Sequence, residues 1–335
     1  SYAFGVMFHD YPGRLYAARK DSPLIIGRSS TGSLMASDVP AILDKTRNVY
    51  YIDNMEIAEL TGDEGQFYNI DREEIQKEVV ESKWDAESAE KGGYEHFMLK
   101  EIHEQPKAVQ DMIGAYVKDG EIDFSEVGLT DDTLKDIERI YIVACGSAYH
   151  VGMAGKYVLE DLAQVPVEVD LASEFRYRNP IIVPNSLVII VSQSGETADS
   201  LAALRLMKDR DVPVLGIVNV VGSSIARESD YTLYTYAGPE ISVATTKAYS
   251  TQLIAMYLIA IQSAKVRGRI DETRYTELLT EMETLPAKIQ KTLDDKERIQ
   301  WFASKYANAH DIFFIGRGLD YAISLEGSLK MKEIS

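Results

Sequence analysis

The chain has 335 residues, of which 45% are hydrophobic, and a formal net charge of −18 at pH 7. This length can bury the cores of two or three domains. The excess of negative charge argues against nucleic acid and membrane surfaces as partners. The single cysteine, Cys145, excludes an internal disulfide and fits a reducing compartment, so we expect a cytoplasmic protein. The apolar stretch Leu253–Ile261 is too short to span a membrane.

Residues 1–80 have the pattern of a β-rich segment, in which short runs of β-forming residues alternate with turn signals. The predicted strands are Tyr2–Phe8, Leu24–Gly27 and Val49–Ile52. Residues 81–95 are highly charged and contain the pair Gly92-Gly93, so they are predicted to form a linker. After Tyr94 the pattern becomes helical.

From Glu138 the pattern changes to strand–turn–helix units, with predicted strands Ile140–Ala144, Val165–Leu171, Leu187–Val191, Val214–Val218 and Tyr231–Tyr234. Strands that alternate with helices predict an α/β fold with a doubly wound parallel sheet. In such a sheet, ligands bind beyond the carboxyl ends of the strands. We assign residues 96–270 to this domain, including the helices that precede its first strand.

An internal repeat suggests a second domain of the same kind. Shifting the sequence by about 172 residues overlays Ile140–Leu162 on Ile312–Ile334, and the glycines Gly146 and Gly155 fall on Gly318 and Gly327. We therefore expect a helical connector over 271–310 and, over 311–335, the first strand and helix of a second α/β domain. Since the chain lacks an initial methionine and ends within a helical pattern, we expect it to be a piece of a longer protein.

The turn after the predicted strand Leu187–Val191 carries the hydroxyls of Ser192, Ser194 and Thr197, the amide of Gln193, and Gly195. Polar donors at the start of a helix favour an anion, because free backbone N–H groups and the helix dipole point there. With no lysine in the loop, it differs from the nucleotide-binding P-loop, and a small phosphorylated metabolite fits better than ATP. The alternative is that Ser194 and Thr197 only cap the helix.

Cys145, Gly146 and Ser147 follow the first strand of the predicted sheet and form a second half-site for the same ligand. The spacing of Gly146 and Gly152 does not match a dinucleotide-binding fingerprint. Cys145 is either a nucleophile, for which His150 is the nearest candidate partner, or a small buried thiol.

A third polar loop opens the helix through Leu253 and contains Val243, Thr245 and Thr246. One of the two threonines could simply cap that helix. The five histidines show no metal-binding spacing, and His96 and His103 are expected on a surface helix, so no metal is assigned.

The final helix carries Glu326, Lys330 and Glu333 at i, i+4 and i+7, so all three project from one face. A carboxylate beside an ammonium can move a proton between adjacent carbons of a sugar enediol, while the ammonium stabilises the developing oxyanion. The alternative is a solvated row of salt bridges, which is common on helices.

These motifs together resemble glutamine–fructose-6-phosphate aminotransferases, the glucosamine-6-phosphate synthases. The resemblance rests on Ser192–Thr197, Cys145–Ser147, Ala172–Arg178 and Leu325–Ser335, and it includes Ala17–Leu24, which looks like the later part of that family's class II glutamine amidotransferase domain. It therefore spans essentially the whole chain. A single Ser-x-Ser-Gly-x-Thr turn would indicate only a sugar-isomerase (SIS) domain.

The resemblance implies glutamine-dependent amination and isomerisation of fructose 6-phosphate to glucosamine 6-phosphate, the first step of hexosamine synthesis, by a cytoplasmic homodimer without cofactors. It implies that Glu333 moves the proton between C1 and C2, that Lys330 assists, and that Glu326 helps in ring opening. Residues 1–80 would belong to the amidotransferase domain. The implied phosphate ligands are Ser147, Ser192, Gln193, Ser194 and Thr197, beside Cys145 and Gly146, and Val243 and Thr245 would line the sugar.

The sequence departs from the family at two points. Ala148 stands where the family carries a hydroxyl, which removes one donor to the phosphate. The amino-terminal nucleophilic cysteine, a later histidine and the carboxy-terminal lysine of the family have no counterpart here, so we expect this chain alone to be inactive. Two other functions stay open: a phosphosugar isomerase or deaminase without glutamine chemistry, and a non-catalytic sugar-phosphate sensor.

Overall fold

The computed structural model describes residues 2–62, 64–82 and 90–335, and these form two compact units. The first unit comprises residues 1–97 with 238–241, and the second comprises residues 98–237 and 242–335. Of the predicted linker over 81–95, residues 83–89 lie outside the described part of the chain.

The first unit is built from two antiparallel sheets, which confirms that residues 1–80 are β-rich. The strands are β1 Tyr2–Val6, β2 Leu15–Lys20, β3 Ile25–Ser29, β4 Gly32–Ala36, β5 Asn48–Tyr51, β6 Ile57–Leu60, β7 Gly65–Tyr68, β8 Glu74–Ile75 and β9 Val80–Glu81. The sheet orders are β1-β2-β6-β7-β8 and β4-β3-β5-β9. A short 3₁₀ helix, Pro40–Ile42, precedes β5. Alternate side chains such as Ala17, Ile26 and Phe67 form a small apolar core.

The second unit is an α/β domain with a five-stranded parallel sheet, as the alternating pattern predicts. Its elements are α1 Phe97–Tyr116, the hairpin β10 Val117–Lys118 and β11 Glu121–Ile122, α2 Asp131–Asp136, β12 Arg139–Ala144, α3 Ser147–Leu162, β13 Val167–Leu171, α4 Ala172–Phe175, β14 Ser186–Ser192, α5 Ala198–Lys208, β15 Val214–Val218, α6 Ser224–Glu228, β16 Tyr231–Tyr234 and α7 Lys247–Val266. The strand order is β13-β12-β14-β15-β16. The five predicted strands all form, with ends shifted by at most two residues.

Helices cover both faces of this sheet, so its central strand has no solvent-facing side. All seven residues of β14 are buried. Ile189 packs with residues of α3 and α7 on one face, and Ile190 packs with residues of α5 on the other. This explains the unbroken β-branched run in the sequence, because a strand that is buried on both faces has no polar alternation.

The chain continues through four helices: α8 Glu272–Glu283, α9 Leu285–Asp294, α10 Lys296–Tyr306 and α11 Leu319–Ile334. The predicted strand after Asp311 is wrong, since residues 311–316 form no strand and Phe313 is 88% exposed. A strand is stable only where a neighbour supplies hydrogen bonds, and none of the described strands pairs with this segment. The helix predicted from the repeat does form, as α11, but it packs against α3 of the first α/β domain.

Among the described residues, no helix is long and apolar enough to cross a membrane.

Candidate functional site

Two adjacent strands at the centre of the parallel sheet deliver polar loops to the same edge. The strand β12 pairs with β13 on one side and β14 on the other, so the chain changes direction across the sheet between β12 and β14. In open α/β sheets this switch point leaves a crevice at the carboxyl ends of the strands. Cys145–Gly146 follows β12 there, and residues 193–197 follow β14.

A cavity of about 220 Å³ lies at this switch point. Its walls come from the two strand–helix loops, the segment before α7, α7 itself and α11. It brings together ten of the twelve residues that the sequence offered as site residues, leaving out Gly146 and Glu326. The lining residues are Cys145, Ser147, Ala148, Val191, Ser192, Gln193, Ser194, Thr197, Val243, Thr245, Gln252, Lys330 and Glu333.

The loop after β14 is held in one conformation by its own hydroxyls. Ser192 Oγ accepts a 3.0 Å hydrogen bond from the backbone N–H of Gly195 and lies 3.0 Å from Thr197 Oγ1. Ser194 Oγ accepts from the backbone N–H of Glu196 at 3.2 Å. Only one hydrogen of the Ser192–Thr197 pair is used between them, so the other can be donated to a ligand.

Helix capping does not account for Thr197. It occupies the N-cap position of α5, but its side chain makes no capping hydrogen bond. Thr246, at the N-cap of α7, likewise makes none. Capping therefore does not explain either threonine, and Thr197 is one of the residues that line the cavity.

Gly195 has to be a glycine for two reasons. Its φ of +66° lies in the left-handed region, and a Cβ atom built on it would lie 2.0 Å from Ser223 Oγ. The neighbouring Glu196 carboxylate accepts hydrogen bonds from the backbone N–H and the hydroxyl of Ser224, at 2.7 and 2.9 Å. The loop is thus packed closely against the start of α6, which preorganises it.

Cys145 lines the cavity as a protonated thiol. Burial is the main reason that its pKa is raised above the usual range of a thiol. The histidine proposed as its partner, His150, pairs with Glu326 instead, with Nδ1 2.8 Å from Oε2. A thiol whose pKa is raised is a poor nucleophile, so the environment favours an unreactive small side chain, although Cys145 is half-buried and not fully buried.

Gly146 precedes α3 with a φ of +57°, and Ser147 is the first residue of that helix. The hydroxyl of Ser147 donates a 2.8 Å hydrogen bond to Glu326 Oε1. This contact uses the only hydroxyl hydrogen of Ser147, so its backbone N–H, at the positive end of α3, is the donor that remains for an anion.

The three charged residues of α11 do not form a solvated row. Glu326 is only 6% exposed and is bonded to Ser147, which lines the cavity. Lys330 Nζ is 3.6 Å from Glu326 Oε1 and donates a hydrogen bond to Glu333. Lys330 and Glu333 line the cavity, which places an ammonium and a carboxylate side by side opposite the hydroxyl-rich loop.

The segment before α7 contributes Val243, which is fully exposed, and Thr245 to the cavity rim. Lys247, the first residue of α7, is 3% exposed and bonds to Glu104 Oε2 at 2.7 Å. This buried ion pair anchors the start of α7 and hence the loop in front of it.

Sequence reasoning missed Gln252. It lies within α7, whereas Thr245 precedes the N-cap of that helix, so helical spacing does not relate the two residues and the sequence offers no signal for Gln252. His96 was expected on a helix but precedes α1, whereas His103 lies within it. Within the described part of the chain, no three His, Cys, Asp or Glu side chains cluster as metal ligands would.

The fold and the cavity define a class of protein, the sugar-isomerase domains. Residues 133–262 match the family model of the SIS domain. The SIS match covers β12 to β16 and most of α7, and it therefore includes every wall of the cavity except α11.

Comparison with individual proteins narrows this class. The chain is 54% identical over its whole length to glutamine–fructose-6-phosphate aminotransferase (isomerizing) of Caldanaerobacter subterraneus subsp. tengcongensis and 51% identical to that of Clostridium acetobutylicum, and it covers 55% of each. The C-terminal domain of glucosamine-fructose-6-phosphate aminotransferase from Francisella tularensis superposes with a TM-score of 0.71 at 41% identity, over 73% of this chain and 69% of that one.

The chain belongs to the glutamine–fructose-6-phosphate aminotransferase family, which confirms the resemblance inferred from its motifs. It spans about half the length of the curated relatives that it matches.

Proposed function

We propose that the cavity between the β12 and β14 loops binds fructose 6-phosphate, and that the chain takes part in its glutamine-dependent amination and isomerisation to glucosamine 6-phosphate. One observation carries this proposal: the hydroxyls of Ser192 and Thr197 meet the charged groups of Lys330 and Glu333 in one cavity. The first pair suits a phosphate and the second suits proton transfer on a sugar. A sensor has no need of the second pair.

The phosphate lies in the loop after β14. Ser194 and the Ser192–Thr197 pair supply hydroxyl hydrogens, Gln193 supplies its amide, and the N-terminus of α3 supplies backbone N–H groups through Gly146 and Ser147. Cys145 contributes an uncharged thiol to the wall of the cavity. Because the whole chain carries a net charge of −18, this local set of donors has to overcome a repulsive field.

The sugar chain extends from the phosphate toward α11, past Val243 and Thr245. Ammonia replaces the C2 carbonyl oxygen, which leaves as water; Glu333 then takes a proton from C1 and delivers it to C2 through an enaminol, so that C1 becomes the aldehyde carbon and the nitrogen stays on C2. Lys330 donates to the sugar oxygen on which negative charge develops. Glu326, held by Ser147 and His150, assists ring opening through the group that it contacts, Lys330.

The surrounding units have the roles that the family suggests. Residues 1–80 are the later part of a class II glutamine amidotransferase domain, 81–95 a linker, 96–270 a first SIS domain, 271–310 a connector and 311–335 the start of a second SIS domain. Two antiparallel sheets in the first unit and full-length similarity to the curated aminotransferases support this division. The protein acts in the cytoplasm as a homodimer and needs neither metal nor organic cofactor.

Calorimetric titration of this chain with fructose 6-phosphate tests the proposal. We expect saturable binding, weakened roughly five- to tenfold in Thr197→Ala, because one hydrogen bond to the phosphate is lost. Thr276→Ala is the matched control, since Thr276 is exposed on α8 and bonds only within its helix. Absence of binding by a chain that is folded by circular dichroism would contradict the proposal.

A further inference from the structure

Gln252 has a buried amide oxygen that folding does not explain. The residue is 1% exposed, yet it lines the cavity, and its Oε1 accepts no hydrogen bond from the described residues. A buried acceptor without a donor is costly, and proteins retain few of them.

Another buried glutamine on the same helix shows what a structural role requires. Gln262 is 7% exposed, its Nε2 donates to Asp131 Oδ1 at 2.7 Å, and its Oε1 lies 3.4 Å from the hydroxyl of Tyr275. Both polar ends of Gln262 have partners within the fold. Of these two described glutamines, Gln252 alone has an oxygen without a donor, which indicates that its donor comes from a ligand.

The chemistry of an amide oxygen restricts what that ligand group can be. A carbonyl oxygen only accepts hydrogen bonds, and the oxygens of a fully ionised phosphate monoester also only accept, so the two repel each other. A hydroxyl can donate. Gln252 lies on α7, whereas the donors suited to a phosphate lie on the loop after β14. Its unpaired oxygen therefore fits the hydroxyl-bearing part of a sugar phosphate.

We propose that Gln252 Oε1 accepts a hydrogen bond from a hydroxyl group of the sugar and thereby makes the site prefer a polyhydroxylated sugar phosphate to phosphate itself. The inference rests on the proposed binding of fructose 6-phosphate, and it identifies a residue that would recognise the sugar through a hydrogen bond to one of its hydroxyl groups. Its effect is on discrimination between ligands, because the loop after β14 holds the phosphate with or without this contact.

The test is the ratio of two affinities, measured by calorimetry on the full chain with fructose 6-phosphate and with inorganic phosphate. Gln252→Met keeps the size of the side chain and removes the acceptor. We expect it to weaken fructose 6-phosphate roughly five- to tenfold and to leave inorganic phosphate within about twofold, so that the ratio falls. Gln262→Met, the matched control, lowers the unfolding temperature but leaves the ratio unchanged.

Gln252→Glu retains an acceptor while adding a negative charge. It should weaken both ligands and keep their ratio close to that of the unchanged protein, which a purely structural role of Gln252 would not produce. An equal loss of both ligands in Gln252→Met, or no loss, would overturn the proposal while leaving the fructose 6-phosphate site intact.

A measurement on the unsubstituted chain guards against a variant that does not fold. Among the monodeoxy analogues of fructose 6-phosphate, one should bind at least about fivefold more weakly than the parent sugar. Equal binding of all of them would overturn the role of Gln252. If the unsubstituted chain does not bind fructose 6-phosphate itself, the proposed function fails first and this inference with it.

Discussion

Ser147 Oγ donates a 2.8 Å hydrogen bond to Glu326 Oε1, although 179 positions separate the two residues. The other carboxylate oxygen of Glu326 lies 2.8 Å from Nδ1 of His150, one turn further along α3. Through these two bonds a single buried carboxylate joins α11 to α3. The same face of α11 carries Lys330 and Glu333 to the cavity, so this junction determines where the charged groups of the site lie.

Replacing Glu326 should therefore destabilise the protein strongly. Glu326→Ala leaves the hydroxyl of Ser147 and the imidazole of His150 without partners in a buried place, and we expect a loss of about 2–4 kcal/mol in the free energy of unfolding. Urea denaturation measures it. The control is Asp111→Ala, which breaks an exposed pair with Lys107 and should cost less than about 0.5 kcal/mol. Equal effects of the two substitutions would show that the junction contributes little.

Gly195→Ala should damage both stability and binding. The left-handed backbone and the contact with Ser223 leave no room for a methyl group, so we expect a loss of at least about 2 kcal/mol in the free energy of unfolding. Gly114→Ala is the opposite case, because Gly114 is exposed in α1 with nothing near its added Cβ; it should gain about 0.5–1 kcal/mol. Thermal unfolding of both variants measures these changes in stability. If Gly195→Ala were as stable as the unsubstituted chain, the steric argument would be wrong.

Cys145 should react slowly with iodoacetamide in the folded chain. Burial raises the pKa of its thiol, so the thiolate is scarce at pH 8, and we expect labelling roughly tenfold slower or more than in the urea-unfolded chain. As the chain has one cysteine, mass spectrometry reports on this site alone.

The same pKa shift makes stability depend on pH in a definite direction. Above about pH 8.5, the ordinary pKa of a thiol, the unfolded chain loses a proton that the folded chain keeps. The free energy of unfolding should therefore fall as the pH rises from there toward the raised pKa. Cys145→Ser removes this contribution and serves as the control for the pH dependence. In the labelling experiment, fast reaction of the folded chain at pH 8 would contradict the raised pKa of the thiol.

Ala148→Ser should strengthen anion binding. Ala148 lines the cavity in the first turn of α3, and a hydroxyl there adds a donor where the backbone N–H groups already converge. The expected gain is up to roughly fivefold in affinity for inorganic phosphate, measured by calorimetry. Ala303→Ser, on an exposed turn of α10, should change nothing. Weaker binding by Ala148→Ser would mean that the phosphate does not approach α3.

Much of the fold follows from local patterns. The five parallel strands could be predicted because each is a short apolar run bounded by turn signals, and burial on both faces removes any polar residue from such a run. The clustering of donors in the loop after β14 could be predicted because those donors are nearly consecutive in sequence. Their geometry is local, so the tertiary structure had little to add.

The segment after Asp311 shows where local patterns fail. Ile312–Ile315 has the composition of a strand, but a strand also needs a neighbour, and that partner is not encoded in the segment itself. Local sequence therefore specifies which residues are able to form strands and helices and which can donate hydrogen bonds. The packing of α11 on α3, the burial of Glu326 and the unpaired oxygen of Gln252 follow from the assembled fold, because each depends on which distant surfaces meet.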